Sequence, residues 1–167
     1  MIENAFEKEG DNFYRRNVGA ILVNSEKKIF AGRRFGGTDK VTWQMPQGGI
    51  LDTETEEEAL TREVQEEVGI LPNVFTVISK TSGYHCYVIP KKMRQSVWNN
   101  LYVGQKQRWF LLHFTGIDDD INIATEFPEF MEWKWLSPAQ IVENAVIFKR
   151  DIYIKVLIEF NLLPNDI

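Results

Sequence analysis

The chain has 167 residues, 44% apolar and 26% charged, with 19 basic against 24 acidic side chains and a net charge of −5. That length suits one domain spanning residues 1–167 with a real core, and the ordinary composition excludes a disordered, collagenous or low-complexity chain. A single cysteine, Cys86, rules out an internal disulfide; no apolar run reaches the roughly 18 residues of a membrane span, and the acidic start at residues 1–7 is unlike a secretory leader, so a cytoplasmic protein without membrane contact is expected.

Residues 18–23 read as a strand, 24–28 as a turn and 29–33 as the returning strand. A short apolar piece, 43–45, ends at Pro46. Residues 46–49 read as a loop whose two glycines allow close approach to a ligand. Thr55 followed three residues later by Glu58 is a capping box, so a helix is predicted from there to about Val68, with Gly69 just past its end. Residues 74–81, 86–89, 108–114 and 132–136 read as further strands, with Lys91, Lys92 and Arg94 in a solvated basic loop. Ser137-Pro138 opens a short helix. A last helix is predicted over about 151–161, where Tyr153, Val156, Leu157 and Phe160 fall at i, i+3, i+4 and i+7. The expectation is a strand-rich α+β domain. Its tryptophans are mostly core candidates, with Cys86 a small buried or half-buried residue and His113 structural.

The net charge is unevenly distributed. Residues 48–70 hold eight acids against the single base Arg62, a local −7, which leaves +2 for the rest of the chain. On the predicted helix Glu63, Glu66 and Glu67 share one face at i, i+3 and i+4, and Glu56 falls on that side two turns earlier. Leu60, Val64 and Val68 make the neighbouring stripe that can pack on a sheet. Like charges at these spacings oppose helix formation by a few tenths of a kcal/mol per pair. A solvated acidic face would tolerate this, and a divalent cation with oxygen ligands would relieve it.

What decides between these readings is the fixed pattern around the carboxylates: Gly48, Glu54, Arg62-Glu63-Val64, Glu66-Glu67 and Gly69-Ile70. This is a complete match to the signature of the Nudix hydrolases, and chance would produce it in on the order of one window in a billion. The resemblance implies a Nudix α/β/α sandwich with a mixed central sheet and a loop–helix–loop. It also implies metal-assisted hydrolysis of a nucleoside diphosphate linked to another group. Glu63, Glu66 and Glu67 would bind Mg²⁺ or Mn²⁺, and Gly48 and Gly49 would let the chain pass close to metal and phosphates. Arg62 would orient a carboxylate, and Glu54 would close the loop.

Further segments resemble the bacterial RNA pyrophosphohydrolase branch of that family: residues 14–19, 33–35, 43–49, 104–110, 128–130 and 148–151. The resemblance implies that Glu129, in Pro-Glu-Phe, is a further metal ligand or the base that activates water. Arg15 and Phe148 would sandwich the 5′-terminal region of RNA, with Arg33, Tyr87 and Lys149 nearby, although Phe148 read without the resemblance is a core residue. The implied activity removes pyrophosphate from a 5′-triphosphate RNA end to leave a monophosphate, which promotes RNA decay. The alternative is asymmetric cleavage of diadenosine tetra- or pentaphosphate to yield ATP. An inactive binding module is disfavoured by the intact glutamates. Arg16 stands where that branch usually has proline, and residues 82–86 are less typical of it. A monomer is expected.

Overall fold

The computed structural model describes residues 6–9, 12–36 and 41–165. Most of the acidic start at residues 1–7, read above as unlike a secretory leader, lies outside them.

One sheet organises the chain. The long strand β2 (Asn12–Val23) runs parallel to β7 (Gly104–Phe114) from Tyr14 opposite Gly104 to Val23 opposite His113. On one flank β7 pairs antiparallel with β5 (Phe75–Lys80) and β6 (His85–Val88). On the other flank β3 (Ile29–Arg34) joins β2 only at Val23 opposite Ile29, and then pairs with β8 (Phe130–Leu136). Two short strands, β1 (Phe6–Glu9) and β4 (Gln47–Gly49), also pair with β2.

The helices cover both faces, as alternation along β2 and β7 requires. Val18, Ala20 and Leu22 on β2, with Phe110, Leu112 and Phe114 on β7, point to the face covered by α1 (Glu56–Val68) through Ala59, Leu60, Val64 and Val68. Ile21 and Trp109 point the other way, toward α3 (Pro138–Asn144) and α4 (Ile147–Glu159), which bury Ile141, Ile152, Tyr153, Val156 and Leu157. This is the expected α/β/α sandwich with a mixed sheet.

Helix α1 has the ends expected of it. Thr55 and Glu58 form the capping box, and Gly69 closes the helix at φ 73°, where the Asn122 carbonyl leaves no room for a side chain. Elsewhere the boundaries move. Residues 46–49 are not simply a loop, because Gln47–Gly49 pairs with β2 as β4. The basic segment at 91–94 is helical, forming α2 (Lys91–Trp98) between Pro90 and a left-handed Asn99. Strand β7 begins four residues earlier than predicted, at Gly104, and α4 also begins four residues earlier, at Ile147. Cys86 is exposed, since it alternates with buried Tyr87 on β6. Trp43 and Trp109 are buried, whereas Trp98, Trp133 and Trp135 are only partly covered. No helix among the described residues is long and apolar enough to cross a membrane.

One buried contact ties α4 to the segment leading into β4: the Met45 N–H donates to the Tyr153 hydroxyl at 3.1 Å, with both residues inaccessible to solvent. Burial pushes the Tyr153 phenol far above its ordinary range, so it remains neutral and acts as acceptor. Replacing Tyr153 by Phe leaves the Met45 N–H buried and unpaired. Urea unfolding should show a loss of about 1–3 kcal/mol, with an unchanged midpoint ruling out a structural role for the bond.

Candidate active site

The site is assembled around β4, whose three residues address both faces of the sheet. Gly48 pairs with Val18 on the α1 face, and a Cβ there would lie 1.8 Å from the Glu63 carboxylate carbon. Glycine is therefore required for Glu63 to sit against this strand. Gly49 and Gln47 turn to the α4 face. A Cβ on Gly49 would come within 2.3 Å of Arg15 Nη2, so Arg15 lies across it.

Arg62 ties the loop after β4 to the helix. Its Nε and Nη2 donate to the two oxygens of Glu54 at 3.0 and 2.5 Å, and Nη2 also donates to the Gly49 carbonyl at 2.8 Å. From the same guanidinium Nη1 donates to Glu63 at 2.6 Å and to Glu66 at 3.1 Å. The planar fork suits this work, because several oxygens can be met at once. Arg62 holds the Glu54 carboxyl below the usual range. Glu63 moves the other way, since its burial outweighs the pull of Arg62 and raises it.

Glu67 is the most constrained acid. It is buried on the inner side of α1, and the Gln47 N–H donates to its Oε2 at 2.9 Å. Burial first, and then the neighbouring Glu63 and Glu129, push its carboxyl well above the ordinary range; the Gln47 N–H and Arg34 oppose this only in part. Glu129 precedes β8 and pairs with Arg34 Nη2 at 2.8 Å. Glu66 is more open, with its side chain 55% exposed.

A divalent cation is the natural partner for such a set. Glu63, Glu67 and Glu129 bring hard oxygen donors together where burial and mutual repulsion penalise their charge, and a cation would relieve both. Arg62 on Glu63 and Glu66, and Arg34 on Glu129, supply part of that positive charge here. Among the described residues no three acids are already drawn into a ready cage. The donor chemistry fits a cation whose arrival would shift these arginine contacts.

On the α4 face a ledge of amides and aromatics adjoins the carboxylates. Arg15, Gln105 and Tyr87 lie in one row across β2, β7 and β6. The Tyr87 hydroxyl donates to Gln105 Oε1 at 2.8 Å, and Gln47 Nε2 donates to the same oxygen at 3.0 Å. Gln107, one step along β7, donates to Gln105 and to Asn17 Oδ1 and receives the Trp109 indole N–H. Burial pushes the Tyr87 phenol up to about 12. Phe148, at the start of α4, is half-buried and stacks on Tyr87 with centroids 6.0 Å apart. Lys149 is buried; its Nζ donates to Gln44 Oε1 at 3.3 Å and stands 5.9 Å above the Tyr87 ring. Burial, reinforced by Arg34, lowers its ammonium to about 8, while Glu67 and Glu129 pull the other way.

The structure thus brings Glu63, Glu66, Glu67 and Glu129 to one side of β4, and Arg15, Tyr87, Phe148 and Lys149 to the other. Arg33 is not drawn in: it pairs with Glu132 at 3.2 Å across β3 and β8. The register shifts between Arg33 and Arg34, and it is Arg34 that reaches Glu129. Glu56, although on the expected side of α1, is taken at the far end by Tyr84, Arg108 and Lys80. Sequence reasoning gave no role to Gln44, Gln47, Gln105, Gln107 and Asn17, and did not place Arg34 against Glu129. A signal was available at Gln105 and Gln107, amides in step with the core residue Trp109.

A profile of the NUDIX domain matches residues 13–156. The chain belongs to the Nudix hydrolase family, in the branch whose curated members are named RNA pyrophosphohydrolase. It is 43% identical to the RNA pyrophosphohydrolase of Orientia tsutsugamushi (strain Boryong) over 149 residues, 89% of this chain and 91% of that protein. With the protein of that name from Rickettsia canadensis it shares 40% over 162 residues, 97% of this chain and 99% of that one. Among solved structures, the E. coli dihydroneopterin triphosphate pyrophosphohydrolase superposes with a TM-score of 0.68 at 20% identity, covering 86% of this chain and 94% of that one. A C. elegans Ap4A hydrolase binary complex gives 0.61 at 14% identity, covering 88% and 99%. These two likenesses are of fold. Nudix enzymes in general depend on divalent metal.

The raised carboxyl of Glu67 has a measurable consequence. Without metal, the folded state keeps a proton on Glu67 that the unfolded chain releases, so Glu67 costs stability as pH rises from the ordinary carboxylate range toward its folded value. Thermal melts in chelator should show wild type falling more steeply with pH than Glu67→Gln, and Mg²⁺ should stabilise wild type more than the variant. Parallel pH slopes would remove Glu67 as the source.

Proposed function

We propose that this enzyme removes pyrophosphate from the 5′-triphosphate end of RNA, acting as a monomeric single-domain cytoplasmic protein. The observation that carries the reading is the juxtaposition of the buried acids Glu63, Glu67 and Glu129 with the Arg15, Tyr87, Phe148 and Lys149 ledge across three residues of β4. An anhydride-cleaving centre therefore lies beside a surface suited to a stacked base and its phosphate. The names carried by the relatives support this choice of substrate.

In this reading Glu63, Glu66, Glu67 and Glu129 hold Mg²⁺, with Mn²⁺ as a substitute. The bound cation supplies Lewis-acid polarisation of a phosphoryl oxygen and lowers the pKa of water. The chain's own residues do the remainder. Arg62 keeps Glu63 and Glu66 aimed, and Gln47 fixes one oxygen of Glu67. Arg34 and Lys149 stand beside Glu129 and Glu67, where they meet phosphate charge. Phe148 and Arg15 hold the terminal region of the RNA, base against ring and guanidinium, a mode that tolerates different sequences. Water adds across the anhydride between the α and β phosphorus atoms, giving a 5′-monophosphate RNA and pyrophosphate, and so licensing the transcript for decay.

RNA carrying a γ-labelled 5′-triphosphate tests this directly. With Mg²⁺, wild type should release the label as pyrophosphate and leave a monophosphate end; release as orthophosphate alone, or no release, overturns the reading. Glu67→Gln should lower kcat by about a thousandfold or more while remaining folded. Arg15→Ala and Phe148→Ala should each raise KM for RNA by about tenfold, and unchanged KM values would make both residues structural.

A further inference from the structure

The ledge accounts for one side of the catalytic acids. On their other side lies a cavity of about 640 Å³, between the C-terminal half of α1 and residues 122–129. Glu66, Glu67 and Glu129 form one wall, while Leu71 and Phe127 supply apolar surface. The volume is within the range that accommodates a nucleoside-sized ligand. It shares its acids with the cleavage site, so a group seated in it would be joined to the bond being broken through phosphates alone.

Phe127 is the feature that gives this cavity a chemical preference. It is 78% exposed, whereas Phe130, three residues on, is buried in the core at 1%. A single exposed aromatic is ordinary on a protein surface, but this one lines a cavity shared with the acids Glu66, Glu67 and Glu129. Its segment is also anchored. Thr125 Oγ1 donates to the Glu66 carbonyl at 2.7 Å, and the Asn122 N–H donates to the Val68 carbonyl at 3.1 Å. The ring is therefore presented from a loop tied to the helix that carries the acids. A flat apolar ring beside hydrogen-bonding side chains suits a nucleobase, whose face stacks regardless of its identity.

We propose that Phe127 is the stacking surface for the nucleobase at the far end of a two-ended substrate, a dinucleoside polyphosphate, whose near base occupies the Tyr87 and Phe148 ledge. Phe127 then determines specificity between substrates with a nucleoside on each side of the phosphates and RNA ends, which have none beyond the terminal phosphate. The proposal rests on the reading of Glu63, Glu66, Glu67 and Glu129 as the centre that cleaves phosphoanhydrides.

Steady-state kinetics with Mg²⁺, comparing diadenosine pentaphosphate with triphosphate RNA, separate the two claims. Phe127→Ala should raise KM for the dinucleotide by about five- to a hundredfold, leave its kcat within about twofold, and leave RNA turnover unchanged; Phe127→Trp should restore the dinucleotide KM. In Phe127→Trp a methylene-bridged, non-hydrolysable diadenosine tetraphosphate should quench the added indole fluorescence relative to wild type. The proposal is overturned if both substrates lose equally, if neither changes, if Trp fails to rescue, or if no quenching follows. Wild type that cleaves RNA but not the dinucleotide overturns this proposal alone, whereas wild type that cleaves neither overturns the functional reading as well.

Discussion

Arg62 is the contact on which the site depends. A single guanidinium meets Glu54, Glu63, Glu66 and the Gly49 carbonyl, so one residue joins the strand β4, the loop after it and the helix α1. Three carboxylates around one cation also solve an electrostatic problem. Helix α1 concentrates acids that repel, and the cation lets Glu63 and Glu66 coexist with Glu67 close by. Lysine could not replace it, because a point charge on a flexible stem cannot span the two oxygens of Glu54 and the helix together.

The second constraint is the alternation of β4. Neighbouring residues of a strand face opposite sides, so Gly48 meets Glu63 on one face while Gln47 and Gly49 meet Gln105 and Arg15 on the other. The acid cluster and the row of amides and aromatics are therefore one residue apart, although they belong to different layers of the sandwich. A slip of one residue in the pairing of β4 with β2 would exchange the two environments. The Gln47 side chain resists such a slip, since its hydrogen bond to Gln105 Oε1 is made in one register only, and Gln105 is itself held by Gln107.

Helix α1 was legible in full because its signals are local: a capping pair at Thr55 and Glu58, an apolar stripe at Leu60, Val64 and Val68, and a left-handed stop at Gly69. The family signature around it carried the acids as a group. Strand β4 was not legible, because Gln-Gly-Gly has no intrinsic strand preference and its extended form is imposed by β2. The contact of Arg34 with Glu129 was not legible for a related reason. The register shift that turns it to Glu129 arises from the pairing of β3 with β8, and nothing in Arg33-Arg34 alone distinguishes the two. The early start of α4 was within reach, since Ile147 and Phe148 precede a continuous helical stretch, but the apolar spacing that marked the helix begins only at Tyr153.

The pairing of β2 with β7 also separates the parts of the site by the length of chain each must close. Gln107 reaches Asn17 across 90 residues of chain, whereas the acids of α1 and Arg62 lie within a single helix and the loop beside it. Loops of that length close late and slowly relative to a helix. The contacts of Arg62 close within one short stretch of chain, whereas the amide row beside them needs both central strands in place. The acid cluster of α1 is set by local structure, while the row of amides and aromatics beside it exists only where two strands distant in the chain meet.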